Sequence, residues 1–396
     1  MKKQFIIPLA VFLLLIFLTA GVILYGRGYR LSFGPGKTVI SGTGLLVATS
    51  LPNGAQVFIN GKLTTATDNT INLSPGTYKV KITKDGYFSW EKTIKVDKEI
   101  VSKAEALLFP LAPKLESLTD SGASTITVDP TGSRVAFVVA SNSAKQNGIY
   151  VFDMTTKPIF IFQNNSKQLV DDTFDLFSQS VISWSPDATE ILATVSAQIG
   201  TKTTYLLDSN ASNQTPRDVT ETLFAVGADW EKQQAKKDKS TTDGLKTKLK
   251  QLITENFSNP SWSADGNKAL YVASRSASLP LIITPRLLGI DSTPEQRNIE
   301  KKSIYVYDTK EDKNYKVLLP EGAKTASWFA DSKHIVYVAN RQIHVMEFDG
   351  TNDTTIYAGP FVDSFVFPWS DGSKLVILTN LNNPQIPPNL YTIGLK

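Results

Sequence analysis

This sequence predicts an all-β protein behind a single apolar helix, and three observations carry that reading. An uninterrupted apolar run extends from Phe5 to Tyr25; residues 44–110 alternate apolar and polar positions between turn signals; and from Leu115 to Lys396 one strand–turn–strand phrase recurs five times. At 396 residues the chain is long for one ordinary domain, and 41% hydrophobic residues are enough for a substantial core. The 41 basic and 37 acidic side chains leave a formal charge of only +4, with no electrostatic footprint for nucleic acid. The absence of cysteine excludes disulfides, zinc–thiolate sites, cysteine nucleophiles and lipid acylation. Two histidines, His334 and His344, limit acid–base and metal chemistry.

The apolar run follows Met1-Lys2-Lys3-Gln4. Rising about 1.5 Å per residue, a helix of this length spans the ~30 Å hydrocarbon core. Pro8 is expected in the first turn, where a missing N–H costs little, with Tyr25, Tyr29, Arg27 and Arg30 at the interface. A cleaved signal peptide is the competing reading, with Leu18-Thr19-Ala20 as its cleavage site. Leucine fits that site poorly, and the apolar run continues through Val22-Ile23-Leu24, which favours an uncleaved anchor. Residues 1–26 are therefore expected to be a cytoplasmic stub and transmembrane anchor, followed by a linker over 27–43 and an extracytoplasmic remainder.

Over residues 44–110 the signals are those of a small β-sandwich. Pro52-Asn53-Gly54 marks a turn, Ala55–Ile59 a strand, and Asn60-Gly61 a tight hairpin, because that dipeptide accepts φ > 0 at both positions. Pro75-Gly76 leads into Tyr78-Lys79-Val80-Lys81-Ile82, with apolar positions at period two, and Asp85-Gly86 turns the chain again before Tyr87-Phe88-Ser89-Trp90. Strands at Thr93–Val96 and Ala104–Leu108 follow. These residues resemble the PEGA domain family through Pro52-Asn53-Gly54-Ala55, Val57-x-Ile59-Asn60-Gly61, Leu73-x-Pro75-Gly76-x-Tyr78-x-Val80 and Lys84-x-Gly86-Tyr87, with Asn53 in place of the namesake glutamate. The resemblance covers about one sixth of the chain. It implies an envelope module for binding or spacing, without catalytic residues.

Five turns set the pattern of the larger part: Val128-Asp129-Pro130-Thr131-Gly132, Trp184-Ser185-Pro186-Asp187-Ala188, Trp262-Ser263-Ala264-Asp265-Gly266, Trp328-Phe329-Ala330-Asp331-Ser332 and Trp369-Ser370-Asp371-Gly372. Each leads into a strand, and a second strand of similar wording follows, as in Ile149–Asp153, Thr204–Asp208, Ile304–Asp308, Ile343–Glu347 and Leu390–Ile393. Such sheets bury both faces only when stacked radially, which predicts a β-propeller over 115–396. Five blades are expected, with six as the alternative if one is degenerate. The last lacks an outermost strand, which Leu115–Thr119 is placed to supply. The wording resembles the WD40-like repeats of TolB-type propellers, most clearly at Ile343-His344-Val345-Met346-Glu347-Phe348-Asp349-Gly350. A helical insertion is expected at 229–256, with Leu245, Leu249, Leu252 and Ile253 on one face and Lys246, Lys248 and Lys250 opposite; Lys232, Lys236, Lys237 and Lys239 lie upstream. The lysines read as a solvated face or as a contact for anionic lipid or wall polymer. A second insertion, Ser274 to Lys302, reads as a long loop.

The chain has no G-x-S-x-G nucleophile elbow, P-loop or dinucleotide fingerprint. His334 and His344 read as ordinary strand residues, Asp171, Asp172 and Asp175 as a solvated loop, and Asp187 and Asp265 as turn formers. Tyr87, Phe88 and Trp90 read as core, with a sugar-stacking platform as the alternative. The expectation is a non-enzymatic, membrane-anchored binding or scaffold protein of the bacterial envelope, without cofactor or metal. Its propeller would recognise a protein partner or surface glycan. The alternative is a glycan-acting enzyme with two carboxylates facing each other in the propeller mouth.

Overall fold

The computed structural model describes residues 3–26, 29–34, 37–140, 143–155, 166–196, 200–363 and 365–395. They form two compact units, Met1–Phe109 with Ile283–Glu295, and Pro110–Ile282 with Gln296–Lys396.

The first unit begins with helix α1 (Lys3–Gly26), whose described apolar side chains from Leu9 to Ile23 are exposed. Among the described residues no helix is long and apolar enough to cross a membrane. Pro8 lies inside α1 and not in its first turn as expected, since the helix already starts at Lys3; it removes one helical hydrogen bond there. Met1, Lys2, Arg27 and the side chains of Tyr25, Tyr29 and Arg30 lie outside the described residues. An antiparallel hairpin, Tyr29–Gly34 with Lys37–Gly42, occupies most of the expected linker.

Seven strands then make the sandwich. Asn69–Leu73, Gly44–Leu51 and Val101–Leu107 form one sheet; Lys62–Ala66, Gln56–Ile59, Gly76–Thr83 and Trp90–Val96 form the other. Alternation directs Leu46, Ala48, Val57, Ile59, Val80, Ile82, Trp90, Ile94 and Ala104 into one shared core. The Asn60-Gly61 turn has φ of 50° and 81°, and Ile59 pairs with Lys62 across it. After the Asp85-Gly86 turn the chain rejoins the sheet as a strand only at Trp90, because Tyr87 N–H closes the turn on Lys84 O and Phe88 N–H turns to Phe109 O.

The second unit contains, among the described residues, five four-stranded antiparallel sheets. The first blade runs from Ser124–Val128 to Ser166–Val170, the second from Val181–Trp184 to Arg217–Asp218. The third combines Phe257–Trp262, Lys268–Ala273, Ile304–Asp308 and Lys313–Val317, and the fourth runs from Lys324–Trp328 to Thr354–Tyr357. In the fifth, Val366–Pro368, Lys374–Thr379 and Asn389–Gly394 are completed by Leu115–Ser117, in the register Leu115↔Ile393. The start of this unit thus closes its last blade, as the sequence suggested. Cores span neighbouring blades: Ile149 and Val151 with Ile182 and Leu207, Val306 with Ile335 and Tyr337, and Ala123 and Phe137 with Val376 and Leu390.

Two helices, α2 (Leu223–Asp243) and α3 (Thr247–Asn256), stand between the second and third blades, so the helical insertion begins earlier than residue 229. Leu249, Leu252 and Ile253 pack with Phe257, Tyr271 and Tyr305 of the third blade, and Leu245 flanks them. The second insertion is less irregular than expected. Ala277–Ser278 pairs with Asn298–Ile299 as a short stem, and Ile283–Glu295 beyond it belongs to the first unit.

Candidate functional site

Asp187 and Asp265, two of the five aspartates weighed from the sequence, lie in blade turns. Asp187 accepts hydrogen bonds from Ser185 Oγ (2.6 Å) and from the N–H and hydroxyl of Thr189; Asp265 does the same with Ser263 Oγ (2.6 Å) and Asn267. Burial opposes ionisation of Asp265, but the Ser263 and Asn267 hydrogen bonds outweigh it and hold the carboxyl at about 2. The residue after each of these aspartates has positive φ: 62° at Ala188 and 68° at Gly266. Ser332 and Gly372, directly after Asp331 and Asp371, repeat this at 59° and 66°, and Gly132, three residues after Asp129, has φ of 69°. The acidic group in the connection between the first and second blades is likewise engaged locally. Asp171 receives Thr173, Asp172 receives Ser178, and Asp175 receives the buried Tyr205 hydroxyl at 2.8 Å. Burial, with Asp175 next in effect, pushes Tyr205 up to about 12.

Both histidines lie in the fourth blade. His334 Nδ1 is 2.6 Å from Asp331 Oδ2, so the imidazole braces the blade turn. His344 stacks on Tyr337 at 4.8 Å and lies 3.5 Å from Asp353, which also accepts the Tyr337 hydroxyl at 2.6 Å. The structure brings these three together, but among the described residues no group of three or more His, Cys, Asp or Glu could hold a metal ion. Trp90 lies in the sandwich core with Tyr87 packed against it, as the core reading expected, whereas Phe88 is half-buried and outside that cluster. Lys232, Lys236, Lys237, Lys239, Lys246 and Lys248 are exposed, and Lys250 stands 3.7 Å from Asp243.

The concave feature that the sequence did not single out is on the sandwich. While Val57, Val80 and Ile82 enter the core, the intervening Phe58, Lys79, Lys81 and Thr83 face outward. Together with Gly61 and Glu91 they line an open cleft of about 450 Å³. Register sets it up: Phe58 is opposite Lys81, and Lys81 opposite Glu91. Glu91 lies 3.0 Å from Lys79 and 3.1 Å from Lys81. Hydrogen bonds from Lys79 and then Lys81 hold its carboxyl below the usual range. Two ammonium groups against one carboxylate, beside an aromatic ring, suit noncovalent capture of a group that is anionic on one side and apolar on the other. Period-two alternation in Thr77–Thr83 was the signal that could have found it.

That sandwich is what the family comparison matches. Residues 43–110 match the PEGA domain model. The match agrees with the boundaries expected from the turns, and it covers the PEGA segment alone. No curated protein matches the chain. Among solved structures, a protein from Agrobacterium tumefaciens assigned as TolB is 17% identical, with 68% of this chain and 72% of that one covered and a TM-score of 0.22. TolB from Acinetobacter baumannii is 13% identical over 81% of this chain and 60% of its own, with a TM-score of 0.24. An acylaminoacyl peptidase from Pyrococcus horikoshii is 12% identical over 70% of this chain and 39% of its own, with a TM-score of 0.20. The propeller behind the PEGA segment rests on its own strand pairing and not on these likenesses.

Proposed function

We propose that the protein is a membrane-anchored, extracytoplasmic binding and scaffold protein of the bacterial envelope, and not an enzyme. The observation that carries this reading is the PEGA match at residues 43–110, in sequence between an apolar helix and five four-stranded sheets. The Phe5–Tyr25 run supports an anchor by its length in the sequence. The PEGA segment then serves as a stalk with a cleft of its own, and the propeller presents a rigid surface to an envelope protein or a surface glycan. The carboxylates and histidines weighed for catalysis are engaged in turns and blade bonds, which favours binding over bond cleavage. Fractionation and protease shaving of intact cells test the placement. The full-length chain should sediment with membranes and lose residues 44–396 to external protease; a soluble, shielded chain refutes it.

A further inference from the structure

Lys92 occupies an unusual position in the first unit. Along Trp90–Val96 the inward side chains are Trp90, Ile94 and Val96, and Lys92 shares their parity, opposite the fully buried Val80. A lysine is thus inserted into the core-facing row of an edge strand, the last in its sheet. Its side chain is only 10% exposed. An ammonium group so placed needs a counter-charge, and Asp291 supplies it from almost two hundred residues away: Nζ to Oδ2 is 2.9 Å, with Asp291 16% exposed.

The next residue covers the strand edge itself. Ser292 Oγ accepts the outward backbone N–H of Lys95 at 2.9 Å, a donor with no ladder partner on that side. Asp291 Oδ1 in turn accepts the N–H of Thr293 at 2.7 Å, which fixes the local turn. Gly289 takes φ of 69° with Ile100 against its α-carbon, where a Cβ would stand 2.8 Å from Ile100 Cγ2. Arg286 pairs with Glu295 across the base of the segment.

We propose that Ile283–Glu295 is a strap completing the PEGA sandwich: it neutralises the inward Lys92, seals the free edge of Trp90–Val96 against pairing with another strand, and is held by the Lys92–Asp291 ion pair. The PEGA fold of this protein is therefore discontinuous in sequence. This stands independently of the function proposed above.

The test compares the full chain with Lys92→Ala, with Asp291→Ala, and with the double variant Lys92→Met/Asp291→Leu. Amide exchange and the rate of tryptic cleavage after Arg286 are measured in parallel. Each single variant should raise that cleavage at least about tenfold and expose the Trp90–Val96 amides, with the blade amides unchanged. The apolar pair, which leaves no buried charge, should recover most of the protection. Loss of protection across the sandwich core in Asp291→Ala, which alters only the strap, also supports the proposal. Equal cleavage of all four proteins, or single variants with unchanged exchange, overturns it.

Discussion

Gly132 and Gly148 place different demands on a side chain. Gly132 has φ of 69° with open space around it, so alanine there bears only the left-handed backbone penalty. Gly132→Ala should lower unfolding stability by about 1 kcal/mol, read from a urea midpoint at unchanged slope. Gly148, at φ of 126°, lies against the carbonyl of Val170, where an added Cβ would collide. Gly148→Ala should cost roughly 3 kcal/mol or more, because the strands Gly148–Asp153 and Ser166–Val170 must part. The turn glycine was legible in the sequence, as part of a phrase repeated five times. Gly148 was not, since its constraint comes from a neighbouring strand. The same limit hid Asp291: nothing local to residue 291 tells that Lys92 lies beside it.

Between elements, burial and ion pairing make separable contributions. Leu252 is 3% exposed in the core shared by α3 and the third blade, so Leu252→Ala should cost about 2–5 kcal/mol in a chemical-denaturation series. The helical periodicity of Leu245, Leu249, Leu252 and Ile253 announced this face. The polar strands Lys62–Ala66 and Asn69–Leu73 gave no comparable signal, because they have few core-facing apolar residues. The closing strand of the fifth blade adds an electrostatic contact. Glu116 lies 2.8 Å from Lys114 and 2.9 Å from Lys374, and hydrogen bonds from Lys114 and then Lys374 hold its carboxyl at about 2, against an ordinary 4.5. A carboxyl depressed on folding stabilises above its unfolded value and loses that contribution as pH falls towards the folded one. Glu116→Gln should therefore cost up to about 1 kcal/mol at pH 7, the pair being partly exposed. Its difference from wild type should shrink through the window from 4.5 towards 2. A pH-independent difference in urea titrations contradicts that account.

For the whole molecule, blade closure depends on distant parts of one chain. Deleting Leu115–Ser117 leaves Asn389–Gly394 as an open edge, and thermal unfolding should shift down and broaden as the fifth blade loosens first. Blade number and closure were both legible because the turn phrase repeats and the last repeat is one strand short. For the outward cleft, alternation in Thr77–Thr83 tells that Lys79 and Lys81 face outward, but only cross-strand register brings Phe58 and Glu91 beside them. The role proposed for the protein is binding of an envelope partner from an anchored position. It is tested by in-cell cross-linking of the chain, followed by mass spectrometry, beside a control chain of residues 1–110 with the Ile283–Glu295 strap retained. The expected result is reproducible enrichment of one or two envelope proteins, or of wall polymer, that needs the propeller. Recovery of the same material with the control, or of none with either chain, would contradict it.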